Sequence, residues 1–363
     1  MATGRTRPNC LQCATVNDAF MVLKMKQLVR LSLEDMHEIC CSALRACGAS
    51  QLNTESIARA FVAAEADGIE NVGLSYFLDY LQCLCSGKIN AKAVPTMSQT
   101  GAGSLIVDGD AGVTMSAFDL AFEDFIDAAK TSGIAALSVK NVHACGVLGY
   151  FVERIAERGL VGQAYANAPA MVAPFGGMLP FFGTNPLAFA VPIAGRAPLV
   201  IDQSTSTTAY VNIRAAANRN EPIPEHWALN EYGQPTTDAN AALAGTITPS
   251  GGYKGSNLAM MVDVMSAGLT GSTWSHAAGS LTEGSEHLNL GQFFVAIDPL
   301  HFAGEDFSLR MQDYIRTLEE QYGGYIPGSY RLEQRRISKK HGVEVDREIV
   351  KKINDYISHP VCR

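Results

Sequence analysis

The chain has 363 residues, 47% of them hydrophobic and 18% charged, with a formal net charge of −8. That is enough chain for about two or three domains around a large core, and an acidic balance without a long basic run excludes the footprint of a nucleic-acid binder. No stretch approaches the ~20 apolar residues of a membrane helix, and no apolar signal core precedes Met25, so no membrane partner and a cytoplasmic location are expected.

Residues 1–24 are polar and patternless and are expected to be a disordered leader. Nine cysteines are scattered through the chain. Their odd number in a long chain predicts reduced thiols rather than a disulfide framework. Cys10 and Cys13 form a C-x-x-C without a second pair at zinc spacing, so no metal centre is expected. From Met25 the pattern becomes helical. Ser32 with Asp35 has the spacing of a capping box, and Met36, Ile39, Cys40, Ala43 and Leu44 share one helical face up to Gly48. A second helix is expected from about Thr54 to Asp67, and a third over Ser75–Leu84.

The middle of the chain alternates. "GSLIVDGDAG" predicts a strand and turn, "SAFDLAFEDFIDAAKTSG" an amphipathic helix, "IAALSVKN" a buried strand and "GYFVERIAERG" another helix. "VGQAYAN", "LAFAVP", "APLVIDQS" and "GQFFVAID" predict further strands, and the tail from Phe307 is charged and helical. The alternation is that of an α/β or α+β protein. No G-x-G-x-x-G stands between a strand and a helix, so an ordinary Rossmann site is not supported.

One stretch carries chemistry on its face. In "TPSGGYKGSNLAMMVDVMSAGLTGS", Lys254 sits among Gly251, Gly252 and Gly255, before a helix marked by Leu258, Met261, Val262, Met265 and Leu269. A cation beside free N–H groups at a helix start suits a phosphate or carboxylate. It is not a Walker A loop, which needs Gly-Lys-Ser/Thr; the alternative is a glycine turn with a solvated lysine.

Together with "PFGGMLPFFGTNPLAFAVP" and "LGQFFVAIDP", this block resembles the malate/L-lactate dehydrogenase family of the second type, over roughly residues 28–345. The resemblance implies a largely antiparallel cofactor-binding sheet, about 96–299, and a helical dimerisation and substrate domain from 25–95 with about 300–363. It also implies a homodimer, a small-molecule substrate and NADP or NAD as cofactor, NADP being favoured. By that resemblance Lys254 meets cofactor phosphate or ribose oxygens, Gly183, Thr184 and Asn185 shape the nucleotide pocket, Gly291 and Gln292 approach through backbone groups, and Asp202 lies where cofactor and substrate meet.

The chain departs from the family's Asp-Ser-His-Gly followed by an arginine. Here "DGIENVGLSYFLDY" puts Asn71 and Val72 in place of Ser-His and Tyr76 in place of the arginine. After the central strand, "NVHACG" puts Ala144 at the common histidine and leaves His143 as the remaining one; Asp124 stands where some relatives carry another. His143, Asp202 and Tyr76 are therefore the catalytic candidates, with Asn71 and Val72 in the substrate pocket. A 2-oxo acid needs a general acid as its alkoxide forms, whereas a cyclic imine can arrive already protonated. The expected activity is thus reduction of a small 2-imino or 2-oxo acid, with a cyclic imino acid such as Δ1-pyrroline-2-carboxylate favoured. A 2-hydroxy-acid dehydrogenase and a repurposed homologue without catalysis are the alternatives.

Overall fold

The computed structural model describes residues 27–359. The expected leader and the Cys10–Cys13 pair lie outside the described residues. The chain opens with β1 (Leu28–Leu31), α1 (Leu33–Ala46), α2 (Gln51–Ala66), a 3₁₀ turn at Glu70–Val72 and α3 (Leu74–Cys85). β2 (Thr96–Gly101), β3 (Ser104–Gly112), α4 (Thr114–Ser132), β4 (Ile134–Val142), α5 (Gly149–Glu157), β5 (Val161–Ala166), β6 (Leu187–Ile193) and β7 (Arg196–Gln203) follow. Then come α6 (Tyr210–Asn218), β8 (Ala228–Leu229), α7 (Ala239–Ala244), β9 (Thr246–Ile247) and α8 (Tyr253–Asp263). The tail holds β10 (Leu290–Ile297), α9 (Leu300–Ala303), α10 (Phe307–Glu320), α11 (Ser329–His341), β11 (Val343–Asp346) and α12 (Arg347–Ser358).

Among the described residues, one seven-stranded sheet runs in the order β2-β3-β4-β10-β5-β6-β7. β3 and β4 are parallel across α4; the other pairs are antiparallel. This is the mixed, largely antiparallel fold expected. A parallel pair needs a crossover, and the nineteen-residue α4 supplies it, burying Phe118, Phe122 and Phe125. The tail is not wholly helical. β11 pairs with β1, Leu28 opposite Asp346, so the two ends of the described chain meet, and α12 packs on α1 and α3.

Local chemistry sets the boundaries. Ser32 Oγ accepts the Asp35 N–H at 3.0 Å, as the capping box requires. α2 starts earlier than Thr54 because Ser50 Oγ takes the Asn53 N–H at 3.3 Å. β2 was not expected because "TMSQTG" is an exposed edge strand without apolar alternation. In α8 the apolar spacing marks the helix but not its buried side. Gly255, Ser256, Ala259, Val262 and Asp263 face inward, while Leu258, Met261 and Leu269 are 39%, 41% and 58% exposed. Small residues let this helix and the turn after it seat closely on β10: a Cβ on Gly291 would stand 1.9 Å from Ser266 O.

The tail is bolted to the rest by charge. Arg335 of α11 donates to Asp67 at 2.6 and 2.8 Å and to Glu153 of α5 at 2.9 and 2.7 Å. Both carboxylates are nearly buried, so loss of the guanidinium leaves uncompensated charge, a strongly destabilising change. Cys40, Cys41, Cys47, Cys83 and Cys145 are buried free thiols. Among the described residues, no helix is long and apolar enough to cross a membrane.

Candidate active site

The candidates collect at one end of the sheet. The register sets Leu290 against Val142, Gln292 against Ala166, and Leu187 against Gln203. The C-terminal ends of β4, β5 and β7 therefore lie beside the N-terminal ends of β6 and β10. The loop 143–148 leaves this end for α5 and is the hub of one group of candidates.

Asp202, near the end of β7, accepts the Gly149 N–H at 2.7 Å, which fixes its carboxylate at the start of α5. Asp202 is solvent-exposed at this end of the sheet. Burial pushes its pKa up, opposed by the Gly149 N–H and by Arg331. A Cβ on Gly149 would lie 2.7 Å from Arg331 Nη1 and 3.0 Å from Asp202 Oδ2, so guanidinium and carboxylate share that glycine's open side. Arg331 also lies 3.8 Å from Asp67 and from Glu153, and its buried Nε and Nη2 have no hydrogen-bond partner. Sequence reasoning missed Arg331, since nothing in a charged tail helix signals which arginine folds back onto β7.

Asn71 is exposed on the 3₁₀ turn, and Val72 lies near Gly146 beside Phe61, Met115 and Tyr150. Glu65, also missed, sets this turn. Its buried carboxylate accepts the Leu74 N–H, and Gly73 packs against it too closely for a Cβ. Burial raises the Glu65 pKa to about 7, Glu70 adds to the rise, and the Leu74 N–H opposes it. A carboxyl whose folded pKa exceeds its unfolded value holds its proton longer in the native state, so it costs stability as pH rises from about 4.5 through 7. Between about pH 5 and pH 7 the wild type should lose on the order of 2–3 kcal/mol of unfolding free energy relative to Glu65→Gln. Denaturant titrations of both proteins check this; parallel pH dependences would contradict it.

His143 is buried, its ring edge-on to Tyr80 at 5.4 Å, and its Nδ1 has no hydrogen-bond partner. Burial, aided by Lys88, lowers its pKa to about 3, so the imidazole is neutral at physiological pH. It does not carry the proton that a general acid of this type delivers. Tyr76 packs against Phe61 and Tyr80, and burial pushes its pKa above the usual tyrosine value, which makes it a poor acid. Tyr80 donates its O–H to the Ala144 carbonyl, tying α3 to the hub loop. Asp124 is exposed on α4.

A second group surrounds the start of α8. Gly251 and Gly252 have φ of 65° and 66°, and a Cβ on Gly255 would meet Ser250 O at 2.1 Å. Glycine is therefore required here. No side chain caps the helix, and exposed Lys254 makes no ion pair among the described residues. Gly183 passes so close to Ala168 O that a Cβ would clash, and the Thr184 carbonyl accepts the Thr205 N–H at 3.0 Å. Asn185, at φ 36°, is buried. Its Nδ2 donates to Ala259 O of α8 at 3.0 Å and its Oδ1 accepts from Ser275 Oγ at 3.1 Å. Asn185 thus braces the turn against α8 rather than offering a free amide. Gly291 N donates to Asn167 Oδ1 at 3.1 Å; Gln292 Oε1 accepts from Thr114 Oγ1 at 2.8 Å, leaving its buried Nε2 unpartnered. A lone cation over an uncapped, Cβ-free helix start fits the phosphate end of a dinucleotide.

The site thus combines a non-Rossmann sheet, a lysine at an uncapped glycine-flanked helix start, and an aspartate held at the start of α5. The profile of the malate/L-lactate dehydrogenase family matches residues 31–354, and the chain belongs to that family. It is 39% identical over 328 residues to the (2R)-3-sulfolactate dehydrogenase (NADP(+)) of Chromohalobacter salexigens, covering 90% of this chain and 97% of that relative. It is 34% identical to the Δ1-pyrroline-2-carboxylate/Δ1-piperideine-2-carboxylate reductase of Pseudomonas aeruginosa, covering 88% and 96%. The solved structure of Δ1-piperideine-2-carboxylate reductase from Pseudomonas syringae superposes with a TM-score of 0.87 at 32% identity, covering 90% of this chain and 99% of that one.

Proposed function

We propose that the protein reduces a small 2-imino or 2-oxo acid with NADPH or NADH, and that a cyclic 2-imino acid such as Δ1-pyrroline-2-carboxylate is preferred. The observation that carries the preference is the state of the proton donors. Val72 stands at one family histidine position, and the remaining candidate, His143, is buried and neutral. A protonated imine brings its own proton and needs only hydride, position and a counter-charge. The bound cofactor supplies hydride. Asp202, held in place by the Gly149 N–H, balances the iminium charge. Lys254 grips the cofactor phosphates or ribose, and the NADP(+)-dependence of the 39%-identical relative supports NADP for this chain.

A second reading keeps a 2-oxo acid as substrate. The sulfolactate dehydrogenase relative favours it, with the Asp202 carboxyl as the group to test for a proton role. Steady-state oxidation of NADPH and NADH with cyclic imino acids and with pyruvate or oxaloacetate separates the readings. No oxidation with either class would contradict both.

The chain ends form a helical unit in this reading, supported by the pairing of β1 with β11 and the packing of α12 on α1. The outward face of α8 and of the turn that follows it supports a homodimer. Tyr253, Leu258, Met260, Met261, Val264 and Leu269 are all more than a third exposed there, too large an apolar run to leave wet. The mass in dilute solution should be twice that of the 38.8 kDa chain. A stable monomer with full activity would contradict the dimer.

A further inference from the structure

A second cluster of reactive side chains lies away from the proposed active site, between α1 and α2. His37 and Cys41 are one helical turn apart on α1, and Glu55 reaches them from the first turns of α2. His37 Nε2 is 3.4 Å from Glu55 Oε2, Cys41 Sγ is 3.6 Å from His37 Nδ1 and 3.9 Å from its Nε2, and the three ligand atoms all lie within 4.8 Å of one another. From the usual Zn–N, Zn–O and Zn–S bond lengths, a tetrahedral ion separates its nitrogen and oxygen ligands by roughly 3.3 Å and its nitrogen and sulfur ligands by roughly 3.5 Å. The nitrogen–oxygen separation already matches that spacing, and the Nε2–sulfur separation exceeds it by about 0.4 Å.

The surroundings suit an ion. Gln51 Nε2 donates to Glu55 Oε1 at 3.1 Å, which leaves Oε2 for the cluster. Arg59, the nearest cation along α2, is turned away to Asp119 at 2.8 Å. Cys41 is buried while His37 and Glu55 keep partial exposure, so thiol and solvent meet at one point. The partial exposure of His37 and Glu55 gives an ion a route in from solvent and a water a place to bind.

We propose that His37, Cys41 and Glu55 form a binding site for a borderline-soft divalent cation of the zinc type, with water as fourth ligand. Imidazole, thiolate and carboxylate together select Zn²⁺ or Co²⁺ over Mg²⁺ or Ca²⁺. The thiol loses its proton to solvent as the metal–sulfur bond forms, and no redox change is involved. The ion cross-links α1 to α2. Nothing in the reductase reading requires it.

Titrating the reduced full-length protein with Co²⁺ tests the site, since a cobalt–thiolate bond produces a near-ultraviolet charge-transfer band. The band should saturate at one equivalent, vanish in Cys41→Ser, and require more than about tenfold more cobalt in Glu55→Gln. It should survive Cys40→Ser and the double change Cys10→Ser with Cys13→Ser, which report on neighbouring and N-terminal thiols. If Cys41→Ser does not fold, His37→Gln, at a partly exposed position, carries the same expectation of a lost band. Absence of the band in the wild type, or its survival in Cys41→Ser or His37→Gln, would overturn the proposal.

Discussion

Replacing Lys254 with alanine should raise the dissociation constant for NADPH or NADH roughly 10- to 150-fold while leaving the fold intact. A hydrogen bond from a charged donor contributes on the order of 1.5–3 kcal/mol, and each ~1.4 kcal/mol is a factor of ten in affinity. The fold should not notice, because Lys254 is exposed and makes no ion pair among the described residues. Its surroundings are built for an anion. Gly251 and Gly252 take backbone angles that side chains resist, Gly255 has no space for a Cβ, and the first-turn N–H groups carry no side-chain cap. Fluorescence titration with the reduced cofactor checks this. An unchanged dissociation constant in a folded variant would remove Lys254 from the cofactor site.

Restoring the family pair with Asn71→Ser and Val72→His should raise turnover of 2-oxo acids more than turnover of cyclic imines. Only the oxo acid lacks a proton source, so only its transition state gains from an added histidine. Positioned general acids contribute typically 10²- to 10⁴-fold. A graft into an unadapted pocket should gain less, and a rise in the oxo-to-imine ratio of at least about tenfold is expected, ~1.4 kcal/mol of transition-state preference. The new imidazole would stand near Gly146 and Tyr150, closer to solvent than His143, where burial need not hold it neutral. The ratio is the quantity to follow, because any change in carboxylate binding would act on both substrate classes alike. A ratio that stays constant while both rates fall would show that this turn does not govern proton supply.

Much of the fold was legible because local signals and tertiary packing agree over its central part. The strands of "IAALSVKN", "LAFAVP" and "GQFFVAID" and the helix of "SAFDLAFEDFIDAAKTSG" bury the faces their periodicity marks. Where the two disagree, the pattern misleads. α8 hides its small residues and shows its large ones, and nothing in one chain's periodicity says that an apolar face is left for something else to cover. β2 is an exposed edge strand and β11 is four residues long, and both pair with segments that local periodicity cannot name. The candidate site follows the same division. The glycines around Lys254 are visible in the letters, and so is Asn71-Val72 where the family resemblance leads one to expect Ser-His. Arg331 meets Gly149 and Asp202 across more than a hundred residues, and Glu65 matters only because α3 begins against it. His143 reads as a catalytic histidine until Tyr80 and the end of β4 enclose it.

The most direct test of the central claim is the selectivity of the unmodified protein, measured as kcat/KM with NADPH for Δ1-pyrroline-2-carboxylate and for pyruvate under the same conditions. With Val72 at the histidine position and a neutral, buried His143, the imine should be favoured by at least about tenfold. A preference for the oxo acid by a similar factor would contradict it and make the Asp202 carboxyl the proton donor to test next.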